Sequence, residues 1–299
     1  MAFTQHMSTR LHYLLTPQSS PSEELPVEYL QIDKSVPVSV SARSKCTLLI
    51  HGLFFGNLAG WFPTITQHLS QHSNVLCYDL RGHGLSAITP QGYTLEQQLI
   101  DLSDLLTELG WGHQPISVIG HSFGGRLALE LALRSRFTID QIILIDSPIS
   151  QHDGEGLMSE VKLWSQQGQD ELWSMLPAQV GEMINRGGRR AQRLLKRWYT
   201  LLHETTLIPD LERSPFPTHQ ELAGLSEQIW ALYGGKSGCQ SSWRLLYDLI
   251  PQSQRHTLPM GGHFLLNEAP QEVIHFIDRA LSPSHDSSMG RDDQNTWER

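Results

Sequence analysis

Short, continuous apolar runs recur along the chain at 47–50, 75–78, 116–119, 141–145 and 229–233, each followed by turn-forming residues and usually by a segment of helical period. A run that is apolar at every position, rather than at every second one, predicts a strand covered on both faces, as in a parallel sheet. Residues 94–109 show the other period. Leu95, Leu99, Leu102, Leu105, Leu106 and Leu109 fall on one helical stripe, behind a Thr94 suited to cap the helix N-terminus. Strand, helix and strand repeated with right-handed crossovers give a doubly wound, mostly parallel α/β sheet. The rhythm breaks between 149 and 225. That stretch carries helix-like clusters around Leu157, Val161 and Trp164, around Leu172, Trp173 and Leu176, and around Leu195, Trp198 and Leu202, but no strand.

The expected organisation is therefore an N-terminal segment, 1–44, with room for edge strands; a sheet core formed by 45–148 and 226–282; a helical lid at 149–225; and a polar tail, 283–299, expected to be disordered. With 39% apolar and 18% charged residues in 299, a large core is within reach. A net charge of −9 offers no footprint for nucleic acid and disfavours an anionic membrane surface. The basic run Arg186, Arg189, Arg190, Arg193, Lys196 and Arg197 reads first as a solvated helix face. Cys46, Cys77 and Cys239 lack CxxC spacing and suit a reducing compartment. The first residues carry no signal-peptide pattern, and no apolar run approaches the roughly 18–20 residues needed to span a bilayer. The protein is expected to be cytoplasmic, without a membrane span; oligomeric state is left open.

Chemistry concentrates at 115–135, where an apolar strand runs into Gly120-His121-Ser122-Phe123-Gly124 and then into an amphipathic helix. Strand, sharp turn and helix are the setting in which a G-x-S-x-G serine becomes a nucleophile. The flanking glycines have no Cβ to collide with strand and helix, and the helix N-terminus favours developing negative charge. A nucleotide-binding turn fits poorly, since G-x-G-x-x-G spacing is absent. His68 and His72 are spaced i, i+4 and could share a metal, but no third ligand is evident, and no metal or cofactor is expected.

Residues 51–86, with HGLFFG at the start and DLRGHGLS at the end, resemble the α/β-hydrolase superfamily, as do GHSFGG at 120–125 and GGHFLLNEAP at 261–270. The resemblance spans roughly 45–280. It implies an α/β-hydrolase fold with a helical lid inserted between strands six and seven. It also implies His263 as the general base for Ser122. The oxyanion hole would be built from the backbone N–H groups of Leu53 and Phe123, while His51 and His83 resemble structural turn residues.

The acid departs from the commonest family pattern. Ser237 stands in GGKSG where an aspartate after strand seven is usual, and the next acid is Asp248. Asp146, ending the strand at 141–146, is the other candidate. One esterase and thioesterase branch keeps its acid there, with an HGLFG-type oxyanion turn and a G-x-S at the strand-seven place, all three present here. The resemblance favours Asp146, with Asp248 as the alternative acid.

A serine nucleophile implies acyl transfer to water from a carboxylic ester or thioester. It argues against the carboxylate-nucleophile dehalogenases and epoxide hydrolases of the fold. C–C bond hydrolases or lyases on the same triad, and a non-catalytic ligand-binding member, stay open. The aromatic lid residues Trp164, Trp173 and Trp198, with Phe54, Phe55, Trp61 and Phe123, imply an apolar pocket for short- to medium-chain acyl groups. The basic run at 186–197 would suit a phosphorylated carrier such as coenzyme A.

Overall fold

A computed structural model describes residues 10–16, 45–54, 56–62, 64–168, 171 and 189–282. Residues 17–26 and the tail 283–299, together with Phe55, Leu172, Trp173, Leu176 and Arg186, lie outside the described residues.

Seven strands form one sheet in the order β1-β3-β2-β4-β5-β6-β7. They are β1 (Tyr13–Thr16), β2 (Cys46–Ile50), β3 (Asn74–Tyr78), β4 (Ile116–His121), β5 (Ile139–Ile145), β6 (Gln228–Gly234) and β7 (Gln254–Leu258). Only β1 runs antiparallel, against β3. The other neighbours pair in parallel.

Because successive side chains on a strand point to opposite faces, an all-apolar strand must feed two cores. It does: Leu48 and Ile50 enter one cluster with Val118 and Leu144, while Leu49 enters the other with Ile119 and Ile143. The first cluster is closed by α2 (Leu95–Glu108) and α3 (Phe123–Arg134), the second by α1 (Thr64–Ser70) and α10 (Pro270–Leu281). The leucine stripe of α2 is buried throughout, and Thr94 Oγ1 accepts the Gln97 N–H at 3.1 Å.

The chain order doubles back at β2, whose neighbours β3 and β4 continue in opposite directions across the sheet. Such a reversal leaves a crevice at the carboxyl ends of the strands, where α/β proteins bind ligands. The loops after β2 and after β3 are pinned there by Asp79. Its carboxylate accepts the N–H groups of Leu58 (2.8 Å) and Leu85 (2.9 Å) and pairs with His12 Nδ1 at 2.6 Å.

Between β5 and β6 the described residues form α4 (Gln151–Ser165), α5 (Arg189–His203), α6 (Leu207–Arg213) and α7 (His219–Ala223). Counted over the described strands, the insertion follows the fifth and precedes the sixth. Arg126 of the nucleophile-side helix α3 holds the end of this insertion, donating to the carbonyls of Ser214 (2.6 Å) and Pro215 (2.7 Å). The remaining helices are α8 (Gln240–Leu249) and α9 (Leu265–Glu268). Among the described residues, no helix is long and apolar enough to cross a membrane.

The basic run is not simply a solvated face. Arg193 and Lys196 are exposed on α5, but Arg197 turns back and donates to the carbonyls of Gly82, at 2.7 Å, and of Ser86. Those carbonyls sit in the turn after β3, where the guanidinium supplies donors in place of backbone partners.

Candidate active site

Strand β4 delivers Ser122 to the carboxyl edge of the sheet. There the chain reverses into α3 within one residue, with Ser122 at φ 53°, ψ −124°. That reversal needs bare backbone on both sides. A Cβ on Gly120 would sit 2.4 Å from Gly124 carbonyl carbon, and one on Gly124 would sit 2.2 Å from the Ile50 oxygen. Phe54, Ser122 and Asp146 are the non-glycine residues with positive φ among the described residues, and all three occupy loops at this edge. Backbone held in such a conformation costs on the order of 1–3 kcal/mol per residue and persists where the surroundings over-determine it.

His263, on the loop after β7, faces Ser122. Its Nε2 lies 2.9 Å from Ser122 Oγ and its Nδ1 lies 2.6 Å from Asp146 Oδ2. Asp146 is fully buried, whereas the His263 side chain is 28% exposed, so the ring can meet a substrate on its open side. Three donors converge on the Asp146 carboxylate: the Gly234 N–H at 2.8 Å, the Ser237 hydroxyl at 2.5 Å and the His263 ring. With Nδ1 donating to the carboxylate, Nε2 is left as an acceptor for the serine proton.

The loop bearing His263 is held at its backbone. Glu268 accepts the N–H groups on either side of the histidine, from Gly262 at 2.6 Å and Phe264 at 3.3 Å. His121 Nε2 donates to the His263 carbonyl at 2.8 Å. Burial, and then the charge of His263, push the His121 imidazole down to about 4. It therefore works as a neutral donor.

Asp248, the alternative acid, is exposed on α8 and stands outside this group. A residue on the water-facing side of a helix after β6 cannot reach a ring set over the sheet edge. Leu53 and Phe123 both lie beside the serine. Leu53 shares a cavity with Ser122, and Gly52 packs so tightly that a Cβ there would lie 2.9 Å from Ser122 Cβ. Among the described residues, the N–H groups of Leu53 and Phe123 have no hydrogen-bond partner.

The cavity beside Ser122 is walled by Leu53, Trp61, Phe264 and Leu266, with Asn57 and Asn267 as polar members. The aromatic pocket expected from the inserted helices is not what the described residues form. Trp164 and Trp198 pack against each other with ring centres 5.4 Å apart, and both meet Phe54, at 5.8 and 6.0 Å. They belong to the core cluster that also holds Leu48, Ile50 and the α2 leucines, where edge-on ring contacts add to the burial.

Among the described residues, one group has metal-ligand spacing: Asp146, Cys239 and His263. Burial, and then Asp146, push the Cys239 thiol well up, so it keeps its proton. A thiol is a poor ligand where a thiolate is needed. His68, half of the expected i, i+4 pair, is instead bound to both oxygens of Asp278, at 2.7 and 2.9 Å.

Sequence reasoning passed over three members of this site. Ser237 enters the sequence reading through GGKSG, as the G-x-S that stands where an acid is usual, and His121 and Glu268 only as letters of GHSFGG and GGHFLLNEAP. The spacing of Gly262, Phe264 and Glu268, six and four residues apart, was the available signal for the last.

Residues 47–276 match the profile described as the Alpha/beta hydrolase family. The chain belongs to the alpha/beta hydrolase family. Among curated relatives of this hydrolase, the sn-1-specific diacylglycerol lipase ABHD11 of Mus musculus is 27% identical over 275 residues, covering 86% of each chain. Two solved structures share its fold. The enol-lactonase from Burkholderia xenovorans LB400 has a TM-score of 0.69 at 18% identity, covering 92% of this chain and 97% of that one. A thermophilic esterase from Thermogutta terrifontis has a TM-score of 0.65 at 22% identity, covering 91% and 92%.

Proposed function

We propose that this hydrolase cleaves carboxylic ester or acyl thioester bonds through a Ser122–His263–Asp146 triad and an acyl-enzyme. The observation that carries the reading is the unbroken line from Ser122 Oγ through the His263 ring to the buried Asp146 carboxylate, 2.9 and 2.6 Å at its two links. Ser122 Oγ adds to the acyl carbon as its proton passes to His263 Nε2, and Asp146 stabilises the imidazolium. The carbonyl oxygen becomes an oxyanion between the unengaged N–H groups of Leu53 and Phe123. The imidazolium returns the proton to the departing alcohol or thiol. Water then repeats the sequence on the acyl-enzyme and frees the acid.

The apolar side chains of Leu53, Trp61, Phe264 and Leu266 around the serine suit short- to medium-chain acyl groups. The similarity to a diacylglycerol lipase supports the ester class. Arg193 and Lys196, exposed on α5, would meet the phosphates of a carrier if the leaving group is a carrier thiol. Three free, buried cysteines fit the reducing compartment in which we place the enzyme, the cytoplasm.

A panel of p-nitrophenyl esters and acyl thioesters, run on wild type and Ser122→Ala, tests this reading. Hydrolysis that disappears with the serine supports it; equal rates in both proteins would defeat it.

A further inference from the structure

His51, at the carboxyl end of β2, is buried and uses both ring nitrogens. Its Nε2 lies 3.0 Å from the Leu80 amide, which can only donate, so Nε2 is the acceptor. The ring proton is then on Nδ1, 2.6 Å from the carbonyl oxygen of Gly52, which can only accept. Burial holds this imidazole below its ordinary value and favours the neutral, one-proton form.

The consequence falls on the next peptide group. In a planar trans peptide, C=O and N–H point in opposite directions, so whatever fixes the Gly52 carbonyl also fixes the Leu53 N–H. One residue further on, the Phe54 N–H donates to His83 Nε2 at 2.9 Å, and His83 Nδ1 meets the Arg81 carbonyl at 3.0 Å. The turn is thus engaged at the Gly52 oxygen and the Phe54 nitrogen, and among the described residues the Leu53 N–H between them has no partner. Gly56 shows how closely this is built. A Cβ there would lie 2.0 Å from the Gly52 oxygen and 2.6 Å from His51 Nδ1.

We propose that His51 is a positioning residue that aims the Leu53 N–H at the oxyanion, acting through its Nδ1–H bond to the Gly52 carbonyl. The inference rests on the reading of Ser122 as an acyl-transfer nucleophile. It separates the two nitrogens of one ring: Nδ1 serves the reaction, and Nε2 serves the packing of Leu80.

Two amides tell these roles apart. His51→Asn keeps a donor at the place of Nδ1 and nothing at the place of Nε2; His51→Gln offers its amide oxygen to the Leu80 N–H at the place of Nε2 and nothing at the place of Nδ1. Expected is a kcat within about tenfold of wild type for His51→Asn and a loss of about 10²- to 10³-fold for His51→Gln, the scale of one lost oxyanion donor. KM for a p-nitrophenyl ester should move by less than about threefold in both, since the oxyanion exists only beyond the ground state. A trifluoromethyl ketone adds Ser122 Oγ at its carbonyl carbon to give a hemiketal oxyanion, so its Ki should rise in step with the loss of kcat. Gly56→Ala, which leaves both His51 nitrogens in place, should lose kcat and trifluoromethyl-ketone affinity together. If the His51 variants do not fold, Gly56→Ala decides. His51→Gln retaining as much kcat as His51→Asn would overturn the proposal, and so would Gly56→Ala with wild-type kcat. Wild type without Ser122-dependent turnover would instead remove the functional reading beneath it.

Discussion

Ser237 donates its hydroxyl to Asp146 Oδ2 at 2.5 Å, from the loop position where many relatives of this fold carry the acid itself. The hydroxyl is oriented for this, since its oxygen accepts the Cys239 N–H at 3.1 Å and its proton is free to face the carboxylate. A neutral residue cannot replace the acid, but it can hold the acid that stands on the neighbouring strand. Ser237→Ala is expected to lower kcat by roughly 10- to 100-fold, the worth of one hydrogen bond to a charged group, with KM little changed. Steady-state kinetics on the preferred ester checks this, and an unaltered kcat would show the contact to be idle.

The two candidate acids separate cleanly. Asp146→Asn replaces the acceptor behind the His263 ring with a group that can present a donor, favouring the wrong tautomer; kcat should fall by about 10⁴-fold. Asp248→Asn changes an exposed helix residue and should stay within about twofold. Kinetics with the effects exchanged would move the acid to α8.

Acid should weaken the fold well above the carboxylate range. Burial first, and the charge of His51 second, push His83 down to about 3, and His121 is held at about 4. In the unfolded chain both take up protons near pH 6.5. Between about pH 6.5 and 4 the unfolded state therefore holds more protons than the native state, and stability falls as pH falls. The contribution is complete above that window and is lost as pH drops through the folded-state values. Tm should decline steadily from pH 7 to pH 5, and His121→Gln, which keeps a donor to the His263 carbonyl, should make the decline shallower. A flat Tm across that interval would contradict the assignment of these rings as buried and neutral.

What could be read from the sequence and what could not divide along the range of the interactions. Strands β2 to β6 announce themselves because burial on both faces leaves runs of consecutive apolar residues with few polar positions, and α2 because one stripe of leucines must be covered. The turn at Ser122 is legible because its strain is local, relieved by Gly120 and Gly124 within two residues. The acid is different. Nothing in the pattern around Asp146 or Asp248 says which carboxylate meets a ring more than a hundred residues away from one and 15 from the other, and only family resemblance chose between them. β1 is short, antiparallel and isolated in the sequence, so it offers no repeated period. Trp164 and Trp198 were correctly apolar, yet apolarity does not say whether a ring lines a pocket or packs on another ring. Arg197 looked like its neighbours on a basic helix face because its partners are backbone carbonyls, which any sequence carries.

A fluorophosphonate probe reads the activation of Ser122 directly. Intact-mass and peptide mapping should show one adduct per chain on Ser122, absent from Ser122→Ala and greatly slowed in His263→Asn. An unlabelled wild-type protein, or labelling that persists in Ser122→Ala, would contradict the account.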